Sequence, residues 1–197
     1  GQKMAALGND PRLAAMLVSA KSDDEAATAA KIAAILEEPP RMGNSDLGVA
    51  FSRNQPAWQQ RSQQLLKRLN VRGGEADSSL IAPLLAGAYA DRIARRRGQD
   101  GRYQLANGMG AMLDADDALS RHEWLIAPLL LQGSASPDAR ILLALPVDID
   151  ELVQRCPQLV QQSDTVEWDD AQGTLKAWRR LQIGQLTAVS YTHLRAH

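Results

Sequence analysis

Aromatic residues make up only 4% of the 197-residue chain, so a core must be built mainly from leucine, isoleucine, valine and alanine. The single cysteine, Cys156, excludes an internal disulfide framework, a four-thiolate zinc site and a CxxC redox pair, and suits a reducing, cytoplasmic setting. Neither sign of charge prevails: Lys plus Arg number 22 against 23 Asp plus Glu, a net charge of -1. That balance by itself forces neither a nucleic-acid nor a membrane partner. No run approaches the roughly 20 apolar residues that cross a bilayer. The best, Trp124 to Leu131, is interrupted by Pro128, and no membrane partner is expected. No lysine follows a glycine, so the chain lacks a P-loop and is expected to bind no nucleotide that way.

What is present is ordinary for a globular protein, 45% hydrophobic and 23% charged. At roughly 150 residues per domain there is room for one large domain or two small ones. The opening Gly1-Gln2-Lys3-Met4 has neither an initiator methionine at position 1 nor a signal-peptide apolar run, and the chain is expected to start inside a longer reading frame.

The first ninety residues read as helices. Asp10-Pro11 offers an N-cap and a first-turn proline, and Leu13, Met16, Leu17 and Ala20 recur on one face. Ser22 with Glu25 forms a capping box for an alanine-rich helix that Pro39-Pro40 stops. After a loop around Gly43 to Ser45, Trp58, Ser62, Leu65, Leu66 and Leu69 line a third helix closed by Gly73-Gly74, and Ser78 to Ala88 forms a fourth.

Near Asp91 the period changes. Ile93 to Arg97, Tyr103 to Ala106 and Ala111 to Leu113, separated by glycine turns, read as a meander. Trp124 to Leu131 and Arg140 to Leu145 are stronger strands, Pro128 arguing for an edge or bulge in the first. A short helix at Asp148 to Arg155 precedes a hairpin of Val166 to Trp168 with Thr174 to Trp178. Strands bunched after helices predict an α+β chain with its boundary near residue 90.

Chemistry-bearing motifs are few. Asp24-Glu25-Ala26 shares three letters with a DEAH-type Walker B box, but no strand precedes it, and acids in a first helical turn complement the helix dipole. The acids at Asp114, Asp116 and Asp117, at Asp148 and Asp150, and at Asp169-Asp170 lie beside turn signals without a matching histidine or lysine, so no metal site and no catalytic residue are expected. His122, between Arg121 and Glu123, reads as a surface residue. Trp124, Trp168 and Trp178 sit among apolar strand residues and are expected in the core. The feature with most content is Arg92, Arg95, Arg96 and Arg97, followed across a glycine turn by Arg102 and Tyr103. Guanidinium forks match phosphate oxygens and the tyrosine offers a stacking face. A solvated hairpin pairing with Asp91 and Asp100 explains the same composition equally well.

The tail Ala188 to His197 breaks with what precedes it and resembles a translated frame of a transposase-type sequencing adapter, with no expected tertiary role. Its His193 and His197 therefore carry no metal reading.

Gly1 to Leu7 with Asp10-Pro11-Arg12-Leu13-Ala14-Ala15-Met16-Leu17 resembles the signature of the helicase-associated region of DEAH-type helicases. Asp91 to Arg97, Tyr103-Gln104-Leu105-Ala106-Asn107-Gly108 and Trp124-Leu125-Ile126-Ala127 are similar to the segment that marks its bacterial HrpB branch. Departures are Gly8, where many relatives carry proline, and Met109, where arginine is common. The resemblance covers essentially Gly1 to Thr187 and implies two segments before the adapter-like tail 188–197: 1–90, a ratchet-like helical domain, and 91–187, an OB-like antiparallel β-barrel region with a short helix, a hairpin and a branch-specific extension. It further implies an accessory grip on single-stranded RNA or DNA, for which Arg92, Arg95, Arg96, Arg97, Arg102 and Tyr103 are the candidate contacts by their chemistry. RecA-like motor domains of the same parent chain, lying before Gly1, would hold ATP and Mg, with no cofactor in the segment itself. The rival is a protein–protein interaction module without nucleic-acid binding.

Overall fold

The computed structural model describes residues 10–41 and 45–195. The Gly1 to Leu7 signature, Gly43 and Asn44 of the expected loop, and His197 lie outside the described residues.

Local sequence dictates the helices closely. Helix α1 (Pro11–Ser19) starts where Asp10 accepts the Arg12 backbone N–H at 2.9 Å, and buries Leu13, Met16 and Leu17. Helix α2 (Asp23–Glu37) starts where Ser22 Oγ accepts from Glu25 N at 3.1 Å. Almost every residue from Ala26 to Leu36 is buried, so α2 is the central rod of the helical part, its alanines admitting close neighbours. A short helix α3 (Leu47–Phe51), capped by Asp46, is an element without a clear sequence signal. Helix α4 (Pro56–Leu69) buries Trp58, Leu65 and Leu69, and Trp58 Nε1 donates to Glu38 O at 2.8 Å. It ends at Asn70, left-handed at φ 58°, earlier than the expected Gly73-Gly74, because asparagine tolerates that conformation. A 3-10 turn (Ser78–Leu80) leads into α5 (Ile81–Ala88).

A second 3-10 turn (Ala90–Arg92) opens into β1 (Ile93–Arg96), β2 (Arg102–Leu105) and β3 (Gly110–Met112). The turn Ala118–Arg121, β4 (Trp124–Leu131) and β5 (Ala139–Pro146) follow. The five strands close into a barrel in the order β1-β2-β3-β5-β4. Only the first three form the expected meander; β3 pairs with β5 in parallel. Pro128 lies where the β4–β5 register shifts between Ile126 and Leu129, a bulge within a strand paired on both sides.

Alternation along β1 and β4, and the register shift that separates Ile141 from Leu143 on β5, divide these strands between two cores. Ala94, Tyr103, Leu105, Ala111, Leu125, Ala127 and Ile141 fill the barrel. Ile93, Trp124, Ile126 and Leu143 turn outward into the same apolar cluster as Ile35, Leu65 and Leu85 of the helices. The helical and barrel parts therefore share one continuous core across residue 90.

Helix α6 (Ile149–Arg155), capped by Asp148, is tied back to the helices by Arg155 Nη1 donating to Ser79 O at 2.7 Å. Strands β6 (Gln161–Asp169), β7 (Thr174–Ile183) and β8 (Leu186–Arg195) form an antiparallel sheet in that order, longer than the hairpin expected. Two expectations need correction. Trp168 is 53% exposed, not core, because β6 is an edge strand exposed along almost its whole length. The backbone of residues 188–195 pairs with β7, so the adapter-like run is not structureless; strand pairing uses main-chain groups, which any β-compatible sequence supplies.

Candidate nucleic-acid interface

The tight turn between β1 and β2 brings the arginines together. Gly101 adopts φ +84°, and a Cβ there would collide with Leu113 O; only glycine lets the turn approach the end of β3 so closely. Arg97 N donates to Arg102 O at 2.7 Å, which sets these two residues side by side at the mouth of the turn.

The six residues singled out by sequence then separate. Arg92 lies against Asp91 at 3.9 Å and donates to Pro128 O at 3.4 Å. Asp91 in turn receives both nitrogens of Arg12 at 2.8 Å, and Arg12 also sits 5.2 Å over the Tyr89 ring. Burial pushes the Asp91 carboxyl up, but the Arg12 bonds and charge outweigh it and hold it below its ordinary value. Arg95 donates to Thr187 O at 2.7 Å and Glu123 Oε1 at 3.2 Å, with its guanidinium 5.3 Å over the Trp124 ring. Arg96 donates to Arg121 O and lies 3.6 Å from Asp100. These three are engaged in holding the fold.

Arg97 is exposed, and its guanidinium has no hydrogen bond or ion pair among the described residues. Arg102 is 52% exposed and lies 3.2 Å from Asp138 Oδ2. Tyr103 offers no stacking face: it is 2% exposed inside the barrel. Its hydroxyl can donate to Leu119 O at 2.9 Å or His122 O at 2.6 Å, and burial pushes its pKa up to about 12.

Two cations escaped the sequence reading. Register sets Arg102 beside Met112, and Met112 beside Arg140, in a row across the outer face of β2, β3 and β5. Arg140 is exposed and lies 3.2 Å from Asp114. Arg121, 85% exposed, stands 4.0 Å from Asp100 near the same end of the barrel. Nothing local signals Arg140, because it reaches the face through the non-local parallel pairing of β3 with β5. In five-stranded barrels of this order, the β2–β3 face and the β1–β2 and β4–β5 loops are where oligonucleotides bind.

The acidic groups have structural duties. Asp117 accepts from Leu119 N and Ser45 Oγ, Asp148 caps α6, and Asp169 accepts from Ala171 N. The Asp169 carboxyl is held below its ordinary value by Lys176, 2.7 Å away. No cluster of three potential metal ligands occurs among the described residues. No helix among them is long and apolar enough to cross a membrane.

Residues 159–187, which hold β6 and β7, match the family model described as the connector region of the ATP-dependent RNA helicase HrpB. Over 187 residues, 95% of this chain, the sequence is 98% identical to ATP-dependent RNA helicase HrpB of Escherichia coli K12. This chain spans 23% of that relative's length. A crystal structure of the E. coli DExH-box NTPase HrpB superposes on the whole chain with a TM-score of 0.89 at 93% identity, covering 24% of that structure. A second, of the Escherichia coli DEAH/RHA helicase HrpB, gives 0.84 at 87% identity over 97% of this chain and 24% of its own. With its OB-like barrel and connector strands, the chain is a segment of the HrpB type of DEAH-box helicase.

Proposed function

We propose that this chain is the part of an HrpB-type, ATP-dependent helicase that grips single-stranded RNA or DNA and couples that grip to RecA-like motor domains elsewhere in the parent chain. The observation that carries the reading is the pairing of Arg97 and Arg102 at the β1–β2 turn with Arg140 in line across the β2–β3–β5 face. On this reading residues 1–90 act as a ratchet-like support, 91–187 as the binding barrel and its connector, and 188–197 as an appended tail. ATP and Mg belong to the motor domains, since no Gly-Lys dipeptide exists here to cradle phosphates. Arg92, Arg95 and Arg96 support the surface; Arg97, Arg102 and Arg140 touch phosphates.

The test is binding of labelled single strands as a function of salt. Each phosphate contact contributes a slope of roughly -0.7 in log K against log salt, so Arg97→Ala with Arg102→Ala flattens it by about 1.4 without changing base preference. Unchanged affinity and slope in a folded double variant would overturn the reading. A protein-contact role is favoured for one other place, the exposed Val166 and Trp168 on β6, and gains if the barrel binds no nucleic acid.

A further inference from the structure

Gly110 stands within β3, where glycine packs nothing and costs strand stability, a residue choice that marks close approach of another group. That group is Asp138. The parallel register Ala111 to Ala139, extended by one residue, sets Asp138 beside Gly110. A Cβ on Gly110 would overlap its carboxylate oxygen and stand 2.9 Å from its Cγ. From that seat the other oxygen meets Arg102 at 3.2 Å. The Asp138 backbone N–H donates to Ser136 Oγ at 3.2 Å, which folds the end of the β4–β5 loop onto the strand. The neighbouring pair Arg140–Asp114 is open to solvent on both sides, whereas the Asp138 side chain is only 30% exposed.

We propose that Arg102 and the bare backbone at Gly110 form a subsite for one phosphodiester of a single strand, which Asp138 fills as an intramolecular oxyanion until nucleic acid displaces it. The proposal rests on the nucleic-acid reading above and adds a gate to it. A carboxylate and a backbone phosphodiester each carry one negative charge and present oxygens to a guanidinium fork. A lone small anion meets Asp138 at a disadvantage, because the carboxylate is tethered at high effective concentration. A strand does not, since it also engages Arg97 and Arg140. The gate thus discriminates polyanions from small anions by a built-in competitor.

The experiment compares binding of a fluorescein-labelled oligouridylate of about twelve nucleotides by anisotropy in the unaltered chain and in two variants. Asp138→Asn keeps the size and removes the competing charge; Gly110→Ala keeps the charge and pushes the carboxylate off its seat. Both are expected to bind roughly three- to fivefold more tightly, the scale of a lost exposed ion pair. In an Arg102→Ala background, Asp138→Asn is expected to give no gain. Should Asp138→Asn tighten binding equally with and without Arg102, general charge repulsion explains it and the subsite is overturned. Should the unaltered chain bind with the arginine-dependent salt slope while Asp138→Asn binds the same, the gate falls and the grip stands. If neither the unaltered chain nor Asp138→Asn binds, both fall. Asp138→Asn decides alone if Gly110→Ala does not fold.

Discussion

Arg95→Ala should damage the fold, although the sequence places Arg95 in the middle of a basic cluster. Its bond to Thr187 O is a charged donor on a neutral acceptor, worth about 1.5 to 3 kcal/mol when well shielded. With the side chain 40% exposed, the lower end applies. The stack on Trp124 adds about 0.5 kcal/mol, and the pair with the largely exposed Glu123 adds close to nothing. The expected loss is therefore about 2 kcal/mol, or roughly 4 to 8 °C in melting temperature for a chain of this size. Arg97→Ala removes no bond of the described structure and should change stability by less than about 0.5 kcal/mol. Thermal and urea unfolding followed by tryptophan fluorescence measure both, alongside the salt slope of single-strand binding. The expected pattern is crossed: Arg95→Ala melts early and keeps its salt slope, while Arg97→Ala melts normally and loses about 0.7 of slope. An Arg95→Ala variant that melts within about 2 °C of the parent and flattens the slope would refute the assignment.

Asp91→Asn should cost about 1 kcal/mol at neutral pH, discounted because both partners of the Arg12 pair are more than a third exposed. Since the folded carboxyl is held below its unfolded value of about 3.9, the contribution is complete above that value and disappears as pH falls through the depressed one. The difference between variant and parent should vanish in acid unfolding curves, and a difference that persists at about pH 2 would contradict this. Gly101→Ala should lose more than about 2 kcal/mol in urea unfolding, because it combines a left-handed φ with a collision on Leu113 O; a loss below about 1 kcal/mol would show that the turn can relax. Truncation after Thr187 should lower the melting temperature by less than about 4 °C, since Leu186 and the Thr187 carbonyl bound by Arg95 remain. A larger drop would give the adapter-like run a structural role.

Sequence by itself determined the local events. Asp10-Pro11, Ser22 with Glu25, and Asp148 start helices where they stand because their side chains reach backbone N–H groups within three residues. The glycine turns and the apolar runs between them marked β1, β2, β4 and β5 to within a residue or two at each end, those being short-range properties of the chain. Absence of a Gly-Lys dipeptide was likewise readable from the chain alone. Tertiary structure decided which arginines are available. Arg95 and Arg97 share a strand parity, yet one is pinned to the distant Thr187 and the other makes no side-chain bond among the described residues. Tyr103, flanked by polar neighbours, belongs to the barrel interior because alternation pairs it with Ala111 across the sheet. Arg140 and Asp138 joined the same face only when β5 paired in parallel with β3, a contact without local periodicity to announce it. Hydrogen bonds and ion pairs between residues distant in sequence are set by how the barrel closes, and so the choice between a structural and a phosphate-binding arginine is made there.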